Sequence, residues 1–283
     1  MEKVKKPELG LKASSSERQL ADRLKYRPTV FEFFTSEADF TKEGLKRLAY
    51  ALELVKNEAT SRIVLHHPMR YKGEFTELVA PQKTFPELCR FIRQSTEDLL
   101  QLSFDYDVQT LLHGSYARHT QKMIALYPSL AQARAHVYAT LDNYAELGKD
   151  HIMFENSFSP IFYYGEEEED RYIAARGYRL AFDVSHCFIR AHGSNQALTA
   201  SLQRLKKQVV HYHLVDSFGK KHDSLELGKG AIAWEKVLPC LNPAASSIYE
   251  VQLRDENDAR EQVASYHYLM KIYDKLNEPN SIN

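Results

Sequence analysis

Four short apolar segments of this chain each end in a residue type that binds metal ions. The four terminal residues are Glu155, Asp183, His213 and Glu250. Two glutamates, one aspartate and one histidine that meet at one place would form a mostly oxygen-lined pocket for a divalent cation. Such a cation polarises a carbonyl and an adjacent hydroxyl, while two glutamates beside it can remove one proton and return another. The spacing therefore predicts metal-assisted proton transfer.

Residues this far apart in the chain need a scaffold whose strand ends converge. Apolar strand patterns alternate with helical patterns, and the strands are predicted at residues 8–13, 29–34, 62–66, 109–113, 152–155, 178–183, 209–213 and 247–251. Eight strands that alternate with helices favour a closed parallel barrel, in which the carboxyl ends of the strands meet on one face. We therefore predict an α/β fold with one (β/α)8 TIM-barrel domain spanning residues 1–283.

A doubly wound open sheet is the competing arrangement for the same alternation. It would not bring the ends of strands four to eight around one centre, so the barrel is the preferred interpretation. The helices between the strands are predicted at residues 42–57, 85–104, 130–147, 196–206, 234–241 and 258–276.

The charge of the chain bears on its partners. It carries 37 basic and 38 acidic side chains, for a net charge of −1, whereas proteins that grip a nucleic-acid backbone usually show a basic excess. The acidic run at residues 166–170 is predicted to form a loop on the active face, where it would repel a phosphate backbone. Nucleic acid is therefore a disfavoured partner, although a local basic groove is compatible with the same total charge.

Cysteine usage and hydropathy predict the location of the protein. Its three cysteines are widely spaced and form no Cys-x-x-Cys pair, which suits a reducing compartment. The charged amino terminus leads into no apolar segment, and every apolar run falls short of the ~18 to 20 residues that a membrane span needs. We expect a cytoplasmic protein without a membrane partner.

Histidines at the strand ends extend the predicted site. His66 ends strand three and His113 ends strand four. Because side chains alternate along a strand, His66 and His67 cannot both point into the barrel. By the same rule His211 and His213 share a face, with His213 nearer the mouth and His211 filling the interior. Several imidazoles are thus expected around the predicted metal site.

Four blocks of sequence, residues 154–157, 182–188, 213–217 and 228–234, resemble the signature blocks of the xylose-isomerase-like barrel superfamily. That superfamily holds sugar isomerases and epimerases, inosose dehydratases and the endonuclease IV group of abasic-site DNA nucleases. The resemblance covers roughly residues 62–253, with the blocks in the right order.

The resemblance implies a role for each residue that matches a family motif. The shared metal site of the superfamily maps onto the four residues named first. His186 is implied to lie beside the metal, where it contacts substrate oxygens or binds a further ion. His66 and His113 match the two histidines that build a second zinc site, together with Glu155, in the endonuclease IV branch. In the sugar branch the equivalent positions line the substrate pocket.

The chain also departs from the endonuclease IV pattern. The Asp-x-His pair that binds a third zinc in that branch is replaced by His222 and Ser224, and its first-strand histidine is replaced by Lys12. Conversely, the Asn-Ser that follows Glu155 looks more like the nuclease branch than the epimerases. The branch therefore stays open on the sequence alone.

We expect a divalent-metal-dependent isomerase or epimerase whose substrate is a small carbohydrate: a sugar, a sugar phosphate or a related polyol. Glu155 and Glu250 form the predicted acid/base pair, which works through a metal-stabilised enediolate, and His186 orients a hydroxyl or stabilises an oxyanion. Lys12 and Arg70 are the candidates to bind a phosphate or carboxylate of the substrate. The cation is expected to be manganese, magnesium, cobalt or zinc.

Two alternatives remain open at this point. One is an endonuclease IV-like zinc phosphodiesterase acting on abasic or damaged DNA, in which His66, His113 and Glu155 hold extra zinc; His66, His113 and His222 are candidates to bind a second metal or the substrate. The other is a non-catalytic relative that binds a small molecule. Barrels of this kind often pair, so a homo-oligomer is compatible with the sequence, but no interface patch is legible in it.

Overall fold

Eight parallel strands form the barrel in the computed structural model, which describes residues 4–278 except for the side chains of residues 117–119. The strands are β1 (Gly10–Ala13), β2 (Val30–Phe34), β3 (Ile63–His66), β4 (Gln109–His113), β5 (Ile152–Glu155), β6 (Leu180–Asp183), β7 (Val209–Leu214) and β8 (Ser246–Tyr249). They follow one another around the sheet in chain order. The prediction of a (β/α)8 TIM barrel is confirmed.

The barrel nearly closes where β8 lies against β1. A Cβ atom on Gly10 would come within 1.8 Å of the carbonyl oxygen of Ser247. No side chain fits in that space, so glycine is needed where the first and last strands approach each other.

The described residues also form ten α-helices. These are α1 (Glu17–Leu24), α2 (Lys42–Glu58), α3 (Pro86–Tyr106), α4 (Ala117–Ile124), α5 (Leu130–Gly148), α6 (Glu167–Ala175), α7 (Val184–Arg190), α8 (Asn195–Leu205), α9 (Trp234–Val237) and α10 (Arg260–Asn277). The six predicted helices are present, but the one predicted at residues 234–241 is α-helical only over Trp234–Val237 and continues as a 3-10 helix over Leu238–Cys240. The sequence patterns did not predict α1, α4, α6 and α7, which have only seven to nine residues and show too short a helical period.

The acidic run at residues 166–170 is not the loop that the sequence predicted. It forms the beginning of α6, where negative charge is favourable because it faces the positive end of the helix dipole. Glu169 is buried against Arg134, with Nη2 to Oε2 at 2.6 Å, and Asp170 is buried against Arg204, with Nη2 to Oδ2 at 2.7 Å. Much of this acidic charge is therefore neutralised by neighbouring helices.

Strand alternation sets the level of the site inside the barrel. One side of the barrel interior holds an apolar layer of inward-facing side chains from four neighbouring strands: Val64, Leu111, Met153 and Ala181. Two residues further along the same strands, and therefore on the same face, stand four ionisable side chains: His66, His113, Glu155 and Asp183. On these four strands, the change from an apolar to an ionisable layer marks the carboxyl end of the barrel.

Candidate metal centre

The structure brings together the four residues that the sequence singled out. Glu155 ends β5, Asp183 ends β6, His213 is near the end of β7 and Glu250 directly follows β8. One oxygen or nitrogen from each of the four side chains lies within 4.8 Å of those of the other three. This spacing is small enough for a single cation to contact all four.

Unsatisfied acceptors in this cluster fit a cation. Both carboxylate oxygens of Glu155, Oδ2 of Asp183 and Nδ1 of His213 are buried and make no hydrogen bond of good geometry among the described residues, although several of them lie within ion-pair distance of other candidate ligands. A buried carboxylate costs on the order of several kcal/mol of desolvation free energy unless nearby positive charge offsets it. A divalent ion would satisfy these atoms together, so the donor set suits a metal.

Asp183 is held so that one oxygen faces the cluster. Its Oδ1 accepts hydrogen bonds from the Ser185 hydroxyl (2.9 Å) and from the backbone N–H of His186 (2.7 Å), which leaves Oδ2 free. The side chain of Asn156 clamps the Asp183 backbone, accepting from its N–H at 2.8 Å and donating to its carbonyl at 3.1 Å. The sequence reasoning did not assign this positioning role to Asn156.

A second ligand set adjoins the first through Glu155. His113 Nε2 lies 3.1 Å and His66 Nε2 lies 3.4 Å from Glu155 Oε2. The other ring nitrogen of His66, Nδ1, donates to the carbonyl of His67 at 2.8 Å, so Nε2 is the atom presented to the carboxylate. Glu155 Oε1 faces the opposite way, 3.2 Å from His213 Nδ1. The carboxylate thus offers one oxygen to each set.

The orientations predicted from strand alternation are confirmed. His67 points outward, and its Nε2 lies 2.7 Å from the Ser95 hydroxyl on α3. Burial lowers the pKa of His67 to about 3, so the ring is neutral. His211 and His213 share the inward face of β7, and both contact the same buried carboxylate of Glu32.

A third group joins Asp183 to His186 and His222, with one ligand atom of each within 4.8 Å of the others. His186 Nδ1 donates to the carbonyl of Asn156 at 2.9 Å, which leaves Nε2 as its free nitrogen. The rings of His186 and His222 lie 4.8 Å apart, centroid to centroid. His222 therefore approaches the site although its partner histidine in the endonuclease pattern is replaced by Ser224.

Glu32 is a site residue that sequence reasoning missed. In the β2 segment Val-Phe-Glu-Phe-Phe, the flanking Phe31 and Phe33 pack outward in the core beneath α2, so Glu32 points into the barrel. It is fully buried and contacts Lys12, directly opposite it on β1. A lone carboxylate in the middle of an apolar strand was the available signal.

The two predicted substrate-binding cations are both engaged with other groups. The Lys12 ammonium contacts Glu250 Oε1 and lies 2.9 Å from Glu32 Oε1. Arg70 lies on a small ribbon between β3 and α3, where its guanidinium covers the Phe75 ring at 3.8 Å and donates to the carbonyl of Gly73. Arg70 is not among the described residues that line the cavity above the site.

Opposite charges shift the titration of the central residues. Burial would lower the pKa of His213, but the carboxylates of Glu155, Glu250 and Glu32 outweigh it and raise that pKa well above its ordinary value. Burial likewise opposes ionisation of Glu155, but the nearby His113 and His213 hold its pKa well below the usual range. Because a cation would compete with a proton for His213, metal binding is expected to weaken at low pH.

A cavity of about 670 Å³ opens onto these side chains. Its polar lining includes His113, His186, His222 and Glu250, and its apolar walls are Met69, Phe75, Tyr116, Phe158, Pro160 and Ile189. This volume lies within the range of small-molecule sites, which combine apolar walls with a few polar groups.

Comparisons with solved structures identify the fold. A D-tagatose 3-epimerase-like protein matches with a TM-score of 0.70 and 17% identity, over 95% of this chain and 98% of that one. A xylose isomerase domain protein from Planctomyces limnophilus matches with a TM-score of 0.64 and 10% identity, over 98% and 100%. The chain has the xylose-isomerase-like barrel fold.

Another xylose-isomerase-like barrel, endonuclease IV from Thermus thermophilus, matches with a TM-score of 0.62 and 16% identity, over 94% of this chain and 99% of that one. A scan against protein-family models and a search of curated proteins each found no match. Among the described residues, no helix is both long and apolar enough to cross a membrane. At these identities the structural likeness defines the fold, and the site has to indicate the chemistry.

Proposed function

We propose that this protein is a divalent-metal-dependent isomerase or epimerase of a small carbohydrate, such as a sugar or sugar phosphate. The observation that carries the proposal is the convergence of Glu155 and Glu250 with Asp183 and His213 at one side of a small-molecule cavity. Two glutamates from different strands then flank the place where a substrate would meet a cation.

The residues of the site would have three roles: binding the cation, transferring protons and orienting the substrate. Glu155, Asp183, His213 and Glu250 hold the cation, which when bound supplies positive charge beside the carbonyl and hydroxyl oxygens of a substrate. Glu250, which lines the cavity, would take the proton from the carbon next to the carbonyl and pass it to a substrate oxygen, and the ionised Glu155 would take the hydroxyl proton of the substrate and return it to carbon. His186 directs its Nε2 toward the substrate, where it orients a hydroxyl.

Other features support a carbohydrate of limited size. The cavity has aromatic walls, which suit the apolar faces of sugar rings. Lys220 and Lys221 also line it, and their ammonium groups suit a substrate that carries a phosphate. One of the solved structures of similar fold is a D-tagatose 3-epimerase-like protein, which favours the same substrate class here.

Solvent proton exchange tests the proposal. The metal-free protein is loaded in turn with manganese, magnesium, cobalt and zinc and is incubated in D2O with a panel of ketoses and ketose phosphates. We expect deuterium to enter the carbon next to the carbonyl of at least one substrate. The absence of exchange with every substrate, together with hydrolysis of an abasic DNA duplex, would contradict the proposal.

A second candidate is a zinc phosphodiesterase, and the geometry of Glu155 favours it. Because its two oxygens face different ligand sets, Glu155 would belong to both sets if each held a cation, and two-metal sites suit phosphoryl transfer. The pairing of Glu169 and Asp170 with arginines also weakens the expected repulsion of a phosphate backbone. Metal content separates the candidates: we expect one exchangeable ion per chain for the isomerase and two or three zinc ions for the phosphodiesterase.

A further inference from the structure

We propose that Glu32 is a positioning residue for the candidate metal centre. It selects Nδ1 of His213 as the nitrogen that binds the cation, and through Lys12 it leaves Glu250 with one free carboxylate oxygen. The inference rests on the metal site of the proposed function and applies to either kind of chemistry at that site.

Glu32 and three other side chains form a closed ring. Glu32 Oε2 lies 2.9 Å from His213 Nε2, and Glu32 Oε1 lies 2.9 Å from the Lys12 ammonium. Lys12 also contacts Glu250 Oε1, and Glu250 Oε2 lies 2.6 Å from His213 Nδ1. The ring therefore connects two candidate ligands, His213 and Glu250, through two residues that are not ligands of the central set.

Glu32 determines which ring nitrogen of His213 keeps its hydrogen when a cation binds. A carboxylate can only accept hydrogen bonds, so the nitrogen that faces Glu32, Nε2, must carry a hydrogen. Nδ1 faces Glu155 Oε1 at 3.2 Å and Glu250 Oε2 at 2.6 Å, so it also carries a hydrogen until a cation bound between these carboxylates takes that hydrogen's place. A carboxylate that holds the distal nitrogen of a metal-binding histidine in this way also increases the basicity of the ligand.

The fold holds Glu32 in place from several sides. Its side chain is fully buried, and its Oε2 accepts a second hydrogen bond from His211 Nε2 at 3.1 Å. The backbone register places it directly opposite Lys12 on β1. Phe31 and Phe33 pack on the other face of the strand, so the carboxylate cannot turn outward without exposing them.

Lys12 completes the arrangement at Glu250. Because the ammonium occupies Oε1, only Oε2 faces His213 and the shared cation position. A substrate phosphate would have to compete with the carboxylates of Glu32 and Glu250 for the Lys12 ammonium. We therefore assign Lys12 to the ring and not to substrate binding.

The test compares Glu32→Gln with a matched control, Glu77→Gln. In Glu32→Gln, one oxygen becomes an NH2 group, which must face donors either on Lys12 or on His211 and His213, so the ring cannot remain intact. Glu77 is also fully buried, but its carboxylate contacts Thr120 and the Tyr116 backbone and belongs to none of the ligand sets. Both variants are checked for folding by circular dichroism.

Zinc ions alone serve as the probe, with free Zn²⁺ set by a chelator. Occupation of the central site is followed through the ring-nitrogen signal of His213 in protein with ¹⁵N-labelled histidine, assigned by its loss in His213→Asn. We expect Glu32→Gln to bind zinc at this site roughly 10- to 100-fold more weakly than wild type, while Glu77→Gln binds it equally. Equal affinity in a folded Glu32→Gln variant would overturn the inference and leave the proposed metal site intact.

A second measurement uses the wild-type protein and does not depend on the folding of a variant. In the zinc-loaded form, the ring hydrogen of His213 should be on Nε2 and the zinc on Nδ1. The reverse assignment would overturn the inference. If the wild-type protein binds no zinc at all, both this inference and the proposed function are wrong.

Discussion

His113 Nε2 lies 3.1 Å from Glu155 Oε2, and the two residues stand directly opposite each other at the ends of β4 and β5. This pairing gives Glu155 a histidine partner on the side away from His213. The same carboxylate can therefore serve a single cation with an adjoining substrate pocket, or bridge two cations. The number of ions that the site holds decides between these two uses.

Replacement of His113 by Gln tests its role beside Glu155. The central ligand set remains complete in this variant, so we expect one metal ion per chain as in wild type and a KM raised about 10-fold, because a polar contact with the substrate is lost. Metal analysis and steady-state kinetics measure the two effects. The matched control is His136→Gln, on the exposed surface of α5. A loss of one ion per chain on the His113 replacement would instead favour the phosphodiesterase.

Replacement of Glu250 by Gln removes one member of the proposed acid/base pair. The amide has a similar shape but cannot take a proton, so we expect the rate of solvent proton exchange to fall by about 10² to 10⁴-fold. Glu256→Gln, at an exposed position of the loop after β8, should leave the rate unchanged. Exchange at the wild-type rate in Glu250→Gln would exclude this carboxylate from proton transfer.

Glu77 should make stability depend on pH. Burial raises the pKa of this carboxyl from 4.5 to about 7, although hydrogen bonds from Thr120 and Tyr116 oppose the shift. The folded chain therefore holds the proton more tightly than the unfolded chain does. This contribution to stability is complete below about pH 4.5 and is lost as the pH rises through about 7.

The Glu77→Gln variant provides the measurement, because its amide stays neutral at every pH. Relative to this variant, the unfolding free energy of wild type should fall by on the order of 3 kcal/mol between pH 4 and pH 8. Urea titrations at several pH values give the difference. If the unfolding free energies of wild type and Glu77→Gln change in parallel between pH 4 and pH 8, the pKa of Glu77 is not raised in the folded protein.

Gly230 shapes the loop that carries His222. A Cβ atom at this position would lie 2.3 Å from Asp216 Oδ1 and 2.6 Å from the Ser217 carbonyl oxygen. We expect Gly230→Ala to lower the unfolding free energy by about 1 to 3 kcal/mol, because the backbone around Asp216 must shift. Lys229→Ala, at the exposed neighbouring position, is the control in the same urea titration. Equal unfolding free energies of Gly230→Ala and Lys229→Ala would contradict the close approach of Gly230 to Asp216 and Ser217.

Strand positions and inward-facing residues could be predicted because they follow from local alternation. The prediction of Glu155, Asp183 and His213 as neighbours required only that three strands end on the same face of a barrel. His66 and His67 were likewise separated by the two-residue period of a strand, and the structure confirms that separation.

Contacts between distant segments could not be predicted in the same way. Glu32 stands in the middle of an apolar strand, and its role depends on the register with Lys12 and on β7 lying across the barrel interior. The acidic run at residues 166–170 was misassigned because its partners, Arg134 and Arg204, come from other helices. Tertiary pairing, rather than local pattern, determines both features.

Anomalous diffraction from crystals grown with manganese or zinc would locate the ion in the candidate metal centre. We expect one ion bound by Glu155, Asp183, His213 and Glu250, with ligand distances of about 2.0 to 2.3 Å and Nδ1 as the histidine ligand. A map without an ion among these four side chains, at saturating metal, would show that they do not form a metal site.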